Sequence, residues 1–231
     1  MNNNLVQLLK IYTTQSHKDV SSFLIEQSKD NIIAMFLDLL TTYINDTNSS
    51  TIREFITVNV AGYEHSMKKI GYNGYKHSTA ISGTPIQCEA KPKNFNTVEY
   101  IRYQNKERLN PPSKLNGGGN FTDYTLKRFE KDKNANLNML ISGFVDGSLI
   151  YIFEFAFNTQ SFLDKLDKQL KKHFKDGDKK NKYLRGASFD YKDFINAENL
   201  KIIYLLPKNE LVKHQNYIVR DFYKWMITKT Q

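Results

Sequence analysis

Glu89 and Lys91, an acidic and a basic residue two positions apart, have the types and spacing best suited to chemistry. An alternation of apolar and polar residues leads into them and ends at Pro92, so both side chains should leave one face of a strand at its end. A carboxylate there can bind a divalent cation, and an ammonium beside it can lie near a phosphate. The pair therefore indicates metal-assisted cleavage of a phosphodiester bond.

A polar turn, residues 71–75, precedes this strand, and its Asn73 lies sixteen residues before Glu89. The Asn73 side chain can offer a carbonyl oxygen to Mg²⁺, although it carries no charge. Glu64 comes before the turn, on a predicted helix that can point its carboxylate inward and supply the missing charge. The alternative for Glu64 is a surface ion pair with Lys68, one helical turn later.

The Gly-Tyr-Asn-Gly turn and Glu89-Ala90-Lys91 at a strand end together resemble the PD-(D/E)xK nucleases, and among them most closely a type II restriction endonuclease. That family places an aspartate where Asn73 stands in this sequence. The resemblance implies dependence on Mg²⁺, a homodimer that matches a palindromic site, and cleavage of both strands of double-stranded DNA. It implies catalytic roles for Glu89, Lys91 and Asn73, and metal ligands from Glu89, Ala90 and Asn73. Glu64 is added to both sets as the candidate for the missing charge.

Pairs of charged residues two positions apart are also common on solvated strand faces, so the Glu89 and Lys91 motif alone is weak evidence for catalysis. Two other functions therefore stay open. One is a non-catalytic DNA-binding module in which Asn73 marks a decayed active site. The other is a repair or phage-derived nuclease that recognises DNA structure rather than sequence. Magnesium-dependent plasmid cleavage and the pattern of its products separate the three.

Composition favours one soluble, cytoplasmic domain with a polyanionic partner. The chain has 231 residues, a net charge of +9 and a pI near 9.3, and its basic residues are spread along its length. A Lys- and Asn-rich solvated surface is the alternative explanation of that charge. Cys88 is the only cysteine, which excludes an intramolecular disulfide and zinc on thiolates. The start of the sequence does not resemble a secretory signal, and the apolar run 32–37 is too short to span a membrane.

The first part of the chain, about 1–69, is predicted to be helical. Residues 2–28 show two short amphipathic helices, and Asp30 or Asn31 is the expected cap of a third that runs to Tyr43. A fourth helix is expected from Ile52 to Met67. These helices are interpreted as scaffold or as a dimer surface.

A sheet core is predicted over about 70–231. Residues 138–157 form a hairpin through Asp146-Gly147, and residues 162–174 form a helix packed on the sheet. A further buried strand is expected at 200–206, followed by a C-terminal helix over 217–226. The fold class is therefore α/β, with α+β as the alternative, and comprises a central mixed β-sheet flanked by helices with a restriction-endonuclease-like core.

Two polar segments are candidates for contact with DNA. Residues 110–120 are rich in Pro, Gly and Asn, which predicts an irregular loop that enters a helix capped near Thr122. Their glycines match neither a Walker loop nor a dinucleotide fingerprint, so no nucleotide cofactor is expected. The second segment is the basic loop 175–182. The candidate DNA-binding residues are Lys93, Asn94, Asn116, Gly118, Asn120, Lys179, Lys182 and Arg185.

Overall fold

The computed structural model describes residues 2–45, 50–66, 71–77, 83–175 and 182–230. Their centre is a six-stranded sheet in the order β1-β2-β3-β5-β6-β8. Strands β1 (Glu64–His65) and β3 (Ile86–Phe95) are each antiparallel to β2 (Gly74–Lys76), which lies between them. Strand β3 then pairs in parallel with β5 (Leu137–Val145). The sheet is therefore mixed, and helices flank it, as the sequence predicted.

Four helices precede the sheet: α1 (Asn3–Thr14), α2 (His17–Ile25), α3 (Lys29–Asn45) and α4 (Thr51–Val60). The first two agree with the prediction. The expected cap of α3 was wrong, because Ser28 Oγ, not Asp30 or Asn31, accepts the hydrogen bond of a first-turn N–H at 3.2 Å. Within the described residues, no helix has the length and apolar character needed to cross a membrane.

Helix α4 is shorter than predicted, and the reason is Gly62. This residue adopts a positive φ of 77°, which favours glycine. Its N–H donates to the Asn59 carbonyl at 3.1 Å, and the Tyr63 N–H donates to the Val58 carbonyl at 3.0 Å. These two bonds are the Schellman termination of a helix. The sheet consequently begins at Glu64, inside the part of the chain that was expected to be helical.

The crossover from β3 to β5 contains α5 (Thr97–Gln104), β4 (Gly119–Tyr124) and α6 (Leu126–Lys133). Strand β4 pairs with β7 (Leu184–Phe189) as a separate antiparallel ribbon. The predicted irregular loop 110–120 therefore ends in a strand. Helix α6 is capped by Thr125, whose Oγ1 accepts from the Arg128 N–H at 3.1 Å, and not near Thr122 as expected. Pairing with β7, over 60 residues away, overrides the local turn signal.

The predicted hairpin and most later elements are confirmed. Strands β5 and β6 (Ser148–Ala156) join through Asp146 and Gly147, both with positive φ, as a two-residue turn of the I′ type requires. Helices α7 (Gln160–His173), α8 (Lys208–Leu211) and α9 (Arg220–Ile227) follow along the chain. Strand β8 (Lys201–Leu205) is not buried as predicted, because it is an edge strand that pairs only with β6 among the described strands.

The alternation of side chains along β3 divides it between two environments. Cys88 and Ala90 pack with Val58 of α4 in one small core. The odd-numbered residues, including Glu89 and Lys91, point to the opposite face, where β4 and α6 lie. The larger core is on that same face and includes Met139, whose strand register places it beside Glu89.

Candidate active site

A polar cavity of about 600 Å³ lies at the junction of α4, the turn before β2, strand β3 and helix α6. Both residues of the predicted acid and amine pair line it, together with Asn73. Among the described residues, the lining is Glu54, Gly71, Tyr72, Asn73, Glu89, Ala90, Lys91, Thr122, Arg128, Lys131 and Asp132. The cavity thus contains three carboxylates and three cations within one enclosure.

Glu89 and Lys91 form an ion pair inside this cavity. Lys91 Nζ lies 2.8 Å from Glu89 Oε1, and the Glu89 side chain is only 7% exposed. The ammonium also lies 4.6 Å from the centre of the Phe121 ring. Gly119 packs so closely on the Lys91 stem that a Cβ there would be 2.7 Å from Lys91 Cβ. The aromatic ring and the glycine fix the course of the Lys91 side chain, so its charge stays beside the carboxylate.

Asn73 is held at both ends of its amide. Its Oδ1 accepts a hydrogen bond from the Ala90 N–H at 2.8 Å, and its Nδ2 donates to Glu54 Oε2 at 3.1 Å. The Asn73 N–H donates to the Cys88 carbonyl at 2.9 Å. The side chain therefore lies against β3 at Ala90, the residue after Glu89, and its role as a metal ligand stays a prediction. Its oxygen has one remaining lone pair, since an amide oxygen accepts two hydrogen bonds or ligands.

Glu54 is a site residue that sequence reasoning missed. It lies on α4 one helical turn before Val58, which packs on Cys88 and Ala90 of β3. A residue four positions earlier on the same helix face must lie over the same strand, nearer the turn. That periodicity was the available signal, but it has meaning only once α4 is known to pack on β3.

The structure does not bring Glu64 into the cavity. It lies in strand β1, not in a helix, and its side chain is exposed. Its strand partner is Tyr75, and the Glu64 carboxylate accepts a hydrogen bond from the Tyr75 hydroxyl, which raises the pKa of that tyrosine. The early end of α4 at Gly62 is the physical reason. The alternative partner Lys68 lies outside the described residues.

Arg128 and Asp132 of α6 are further groups that sequence reasoning missed. Arg128 Nη2 lies 3.3 Å from Glu89 Oε1, and its Nε lies 3.6 Å from Asp132 Oδ2. Asp132 is buried and accepts hydrogen bonds from the hydroxyls of Tyr72 at 3.0 Å and Tyr124 at 2.9 Å. Burial raises the pKa of Asp132, and these hydroxyl hydrogen bonds oppose that change. Glu89 is therefore shared between two cations, one from its own strand and one from α6.

The donor set of the cavity fits Mg²⁺. Glu54 and Glu89 offer carboxylate oxygens, and Asn73 and the backbone of Ala90 offer carbonyl oxygens. In the described part of the chain, no group of three or more His, Cys, Asp or Glu side chains is suited to hold a metal ion. Mg²⁺ is commonly bound by one or two carboxylates, with water and substrate phosphate as its other ligands. Two carboxylates and uncharged oxygens are sufficient for that mode of binding.

The predicted DNA-binding residues fall into different environments. Lys93 Nζ donates to Asn116 Oδ1 at 3.1 Å, the Gly118 N–H donates to the same oxygen at 3.2 Å, and burial lowers the pKa of Lys93. These three residues form an internal cluster in which Gly118 is buried. Asn94 leaves the opposite face of β3 and accepts from the Gly147 N–H at 3.3 Å, so it is not brought to the cavity.

The remaining predicted contacts lie around the β4–β7 ribbon. Asn120 and Arg185 are exposed on it. The half-buried Lys182 precedes β7, and its Nζ lies 5.5 Å from the centre of the Phe174 ring. Lys179 lies outside the described residues.

Comparison of the sequence with protein-family models and with curated proteins found no match. The function is therefore inferred from the geometry of the cavity and of the surfaces around it.

Proposed function

We propose that this protein is a Mg²⁺-dependent endonuclease that hydrolyses phosphodiester bonds in both strands of duplex DNA at a short palindromic sequence, similar to a type II restriction endonuclease. The observation that carries this proposal is the pairing of Glu89 with Lys91 at 2.8 Å in a cavity that also receives Asn73 and Glu54. Carboxylates and an ammonium in one polar cavity are what phosphodiester hydrolysis requires. The proposed location of the protein is the cytoplasm, where its DNA substrate lies.

In the proposed reaction, the oxygen of a water molecule forms a bond to phosphorus while the P–O bond to one ester oxygen breaks. The attacking water gives up a proton to solvent, and the departing oxygen takes up a proton. A bound Mg²⁺ would polarise the phosphoryl oxygens and lower the pKa of the attacking water. Glu89 and Glu54 supply the negative charge that holds the cation, and Asn73 fixes Glu54 through its amide nitrogen. Lys91 places a positive charge beside the phosphate, whose negative charge becomes more concentrated as water adds.

The β4–β7 ribbon is the proposed contact with the bases of the duplex. Asn120 of β4 pairs with Ser188 of β7, and Thr122 pairs with Gly186. All four residues are exposed, and Thr122 also lines the cavity. The major groove of B-DNA admits a two-stranded ribbon, and amide and hydroxyl groups can bond to base edges there. A ribbon with this polar face extends from the proposed cleavage site toward the groove.

An exposed apolar face on α2 and α3 supports the proposed homodimer. Phe36 is 61% exposed and Leu37 is 54% exposed, which is unusual for side chains of this size. The other members of the face are Ile25, Ile32 and Ile33. A two-fold dimer brings two copies of one cavity to a palindromic site, so that each copy can cut one strand.

The test is incubation of plasmid DNA with the purified protein and Mg²⁺. Discrete fragments that disappear when the cation is chelated would support a site-specific endonuclease. A smear would instead support the structure-specific nuclease. Binding without cleavage would support the second candidate, a non-catalytic DNA-binding module, which is favoured by the amide of Asn73 where a carboxylate would strengthen cation binding.

A further inference from the structure

Arg128 and Lys131 are the cations in the cavity to which the proposed hydrolysis gives no role, and of the two it is Arg128 that contacts Glu89. Its guanidinium contacts two carboxylates, through Nη2 to Glu89 and through Nε to Asp132. Among the described residues, no hydrogen bond or ion pair involves its Nη1. Its side chain is 38% exposed, so part of it faces solvent. An arginine in this position can donate to a group that enters from solvent.

The orientation of Arg128 is fixed by a buried network behind it. The Asp132 side chain is only 3% exposed. Its carboxylate accepts hydrogen bonds from the hydroxyls of Tyr72 and Tyr124 and forms an ion pair with Arg128 Nε. The guanidinium carbon also lies 5.3 Å from the centre of the Tyr124 ring. Burying a carboxylate costs desolvation free energy, which is offset only when its partners are well aligned. The charged partner of the Asp132 carboxylate is the Arg128 guanidinium.

The charges of the side chains that line the cavity indicate which charge a ligand beside Arg128 would carry. Among the described residues that line it, three carboxylates, Glu54, Glu89 and Asp132, balance three cations, Lys91, Arg128 and Lys131. A divalent cation on Glu89 adds two positive charges and competes for the oxygen that Arg128 contacts. A phosphodiester group carries one negative charge, which offsets part of this excess, and its oxygens match the planar fork of a guanidinium.

We propose that Arg128 binds a non-bridging phosphate oxygen of the substrate, and that Asp132, Tyr72 and Tyr124 are positioning residues that hold its guanidinium. Arg128 pairs with Glu89 in the absence of a divalent cation and is freed for the phosphate when the cation takes that carboxylate. The identity of the phosphate as part of DNA rests on the proposed function. The anion site itself rests on the contacts of Arg128.

The first experiment measures binding of a short duplex oligonucleotide by fluorescence anisotropy, with Ca²⁺ in place of Mg²⁺, over a range of salt concentrations. Arg128→Gln should weaken binding about tenfold, since it removes a charge-assisted hydrogen bond. The slope of log affinity against log salt should fall by about 0.9, as expected for one lost phosphate contact. Lys127→Gln is the matched control, because it removes one charge from the same helix outside the cavity. Equal affinity and slope for Arg128→Gln and the wild type would overturn the proposal.

A double-mutant cycle tests the positioning role of Asp132. Asp132→Asn should weaken duplex binding in the wild-type background and have no effect in Arg128→Gln, because it then has no guanidinium to hold. The same loss in both backgrounds would show a purely structural role and overturn that part of the proposal. Arg128→Lys should recover the salt slope but only part of the affinity, since an ammonium cannot form the bidentate contact.

A wild-type protein that binds no duplex would refute the proposed function, and a second experiment then judges the anion site alone. Inorganic phosphate is titrated into the Mg²⁺-loaded protein, and amide chemical shifts of α6 are followed by NMR. Saturable shifts in the wild type and in Lys127→Gln, lost in Arg128→Gln, would support the site. No saturable shift in the wild type would overturn it.

Discussion

The side-chain nitrogen of Asn73 donates a hydrogen bond to Glu54 Oε2 at 3.1 Å, which joins helix α4 to the turn before β2 across the cavity. The amide is well suited to this position in the absence of a cation. An aspartate in its place would put two carboxylates within hydrogen-bond distance and leave no proton donor between them. An amide can bridge the Ala90 N–H and the Glu54 carboxylate without that repulsion.

Asn73→Asp should therefore make stability depend on Mg²⁺. Without the cation, the loss of the hydrogen bond to Glu54 and the repulsion between carboxylates should lower the free energy of unfolding by about 1–3 kcal/mol. Mg²⁺ should restore much of it, because three carboxylates bind the cation more tightly than the two of the wild type. Thermal unfolding with Mg²⁺ and with a chelator measures the difference.

Asn73→Ala is the control for this experiment. It loses both side-chain hydrogen bonds without adding a charge, so its melting temperature should fall to a similar extent in both buffers. Cleavage should be lost in Asn73→Ala and kept in Asn73→Asp if Asn73 is a native ligand. A melting temperature of Asn73→Asp that is independent of Mg²⁺ would argue against a cation at this position.

Glu54→Gln and Glu64→Gln should differ sharply in cleavage. Glu54 lines the cavity, and loss of its charge should reduce the cleavage rate about 100-fold or more, as loss of electrostatic stabilisation of a transition state commonly does. Glu64 is exposed and bonded to Tyr75, so its substitution should leave the rate near that of the wild type. The two rates are compared on one plasmid substrate. Equal loss in both variants would contradict the structural assignment.

Glu89→Ala and Lys91→Ala should each abolish cleavage and leave DNA binding largely intact, since most contacts with the DNA phosphate backbone lie outside the cavity. A suitable control is the Glu130 and Lys133 pair of α6, an acid and an amine 4.0 Å apart outside the cavity. Single alanine substitutions of that pair should leave cleavage unchanged. Gel assays of cleavage and anisotropy measurements of binding follow the two activities separately. Cleavage by both cavity variants would refute the site.

The parts of the site that the sequence predicted are those set by local periodicity. Glu89 and Lys91 follow from the strand alternation, although the predicted end of the strand at Pro92 was wrong, because β3 continues to Phe95. The β5–β6 hairpin follows from Asp146-Gly147. Arg128 contacts Glu89 and Glu54 contacts Asn73, each from a different helix, through packing that no local pattern encodes.

The error over Glu64 has a different origin. The apolar spacing of α4 continues past Ala61, but the positive φ of Gly62 ends the helix. A glycine at that point is a helix-termination signal, and in the fold it outweighed periodicity. The ribbon was missed because its two strands are paired across more than sixty residues, so neither has a hairpin signal of its own.

Glu154 provides a test of the fold on the other side of the sheet. The Glu154 side chain is 2% exposed, and its Oε1 accepts from Asn138 Nδ2 at 2.7 Å and the Tyr63 hydroxyl at 3.1 Å, with Lys76 Nζ at 3.5 Å. Glu154→Ala leaves these donors without their acceptor and should lower the free energy of unfolding by about 3–5 kcal/mol. Urea denaturation measures the change. Glu154→Gln, which keeps an acceptor oxygen, should cost less, and an equal cost would show that charge dominates.

The apolar face of α3 leads to a prediction about assembly. Phe36→Glu places a charge at the centre of the exposed face and should convert a dimer into a monomer, because burying an unpaired carboxylate in an apolar interface is costly. Analytical ultracentrifugation measures the change in mass, and Lys18→Gln, on the exposed surface of α2, is the control because it also lowers the net charge by one. The monomer should keep its cavity but cut both strands of a plasmid more slowly than it nicks one, since each copy supplies one cavity. A wild-type protein that is monomeric at the concentrations at which it cuts both strands would overturn the dimer, and it would leave the cavity to act on each strand in turn.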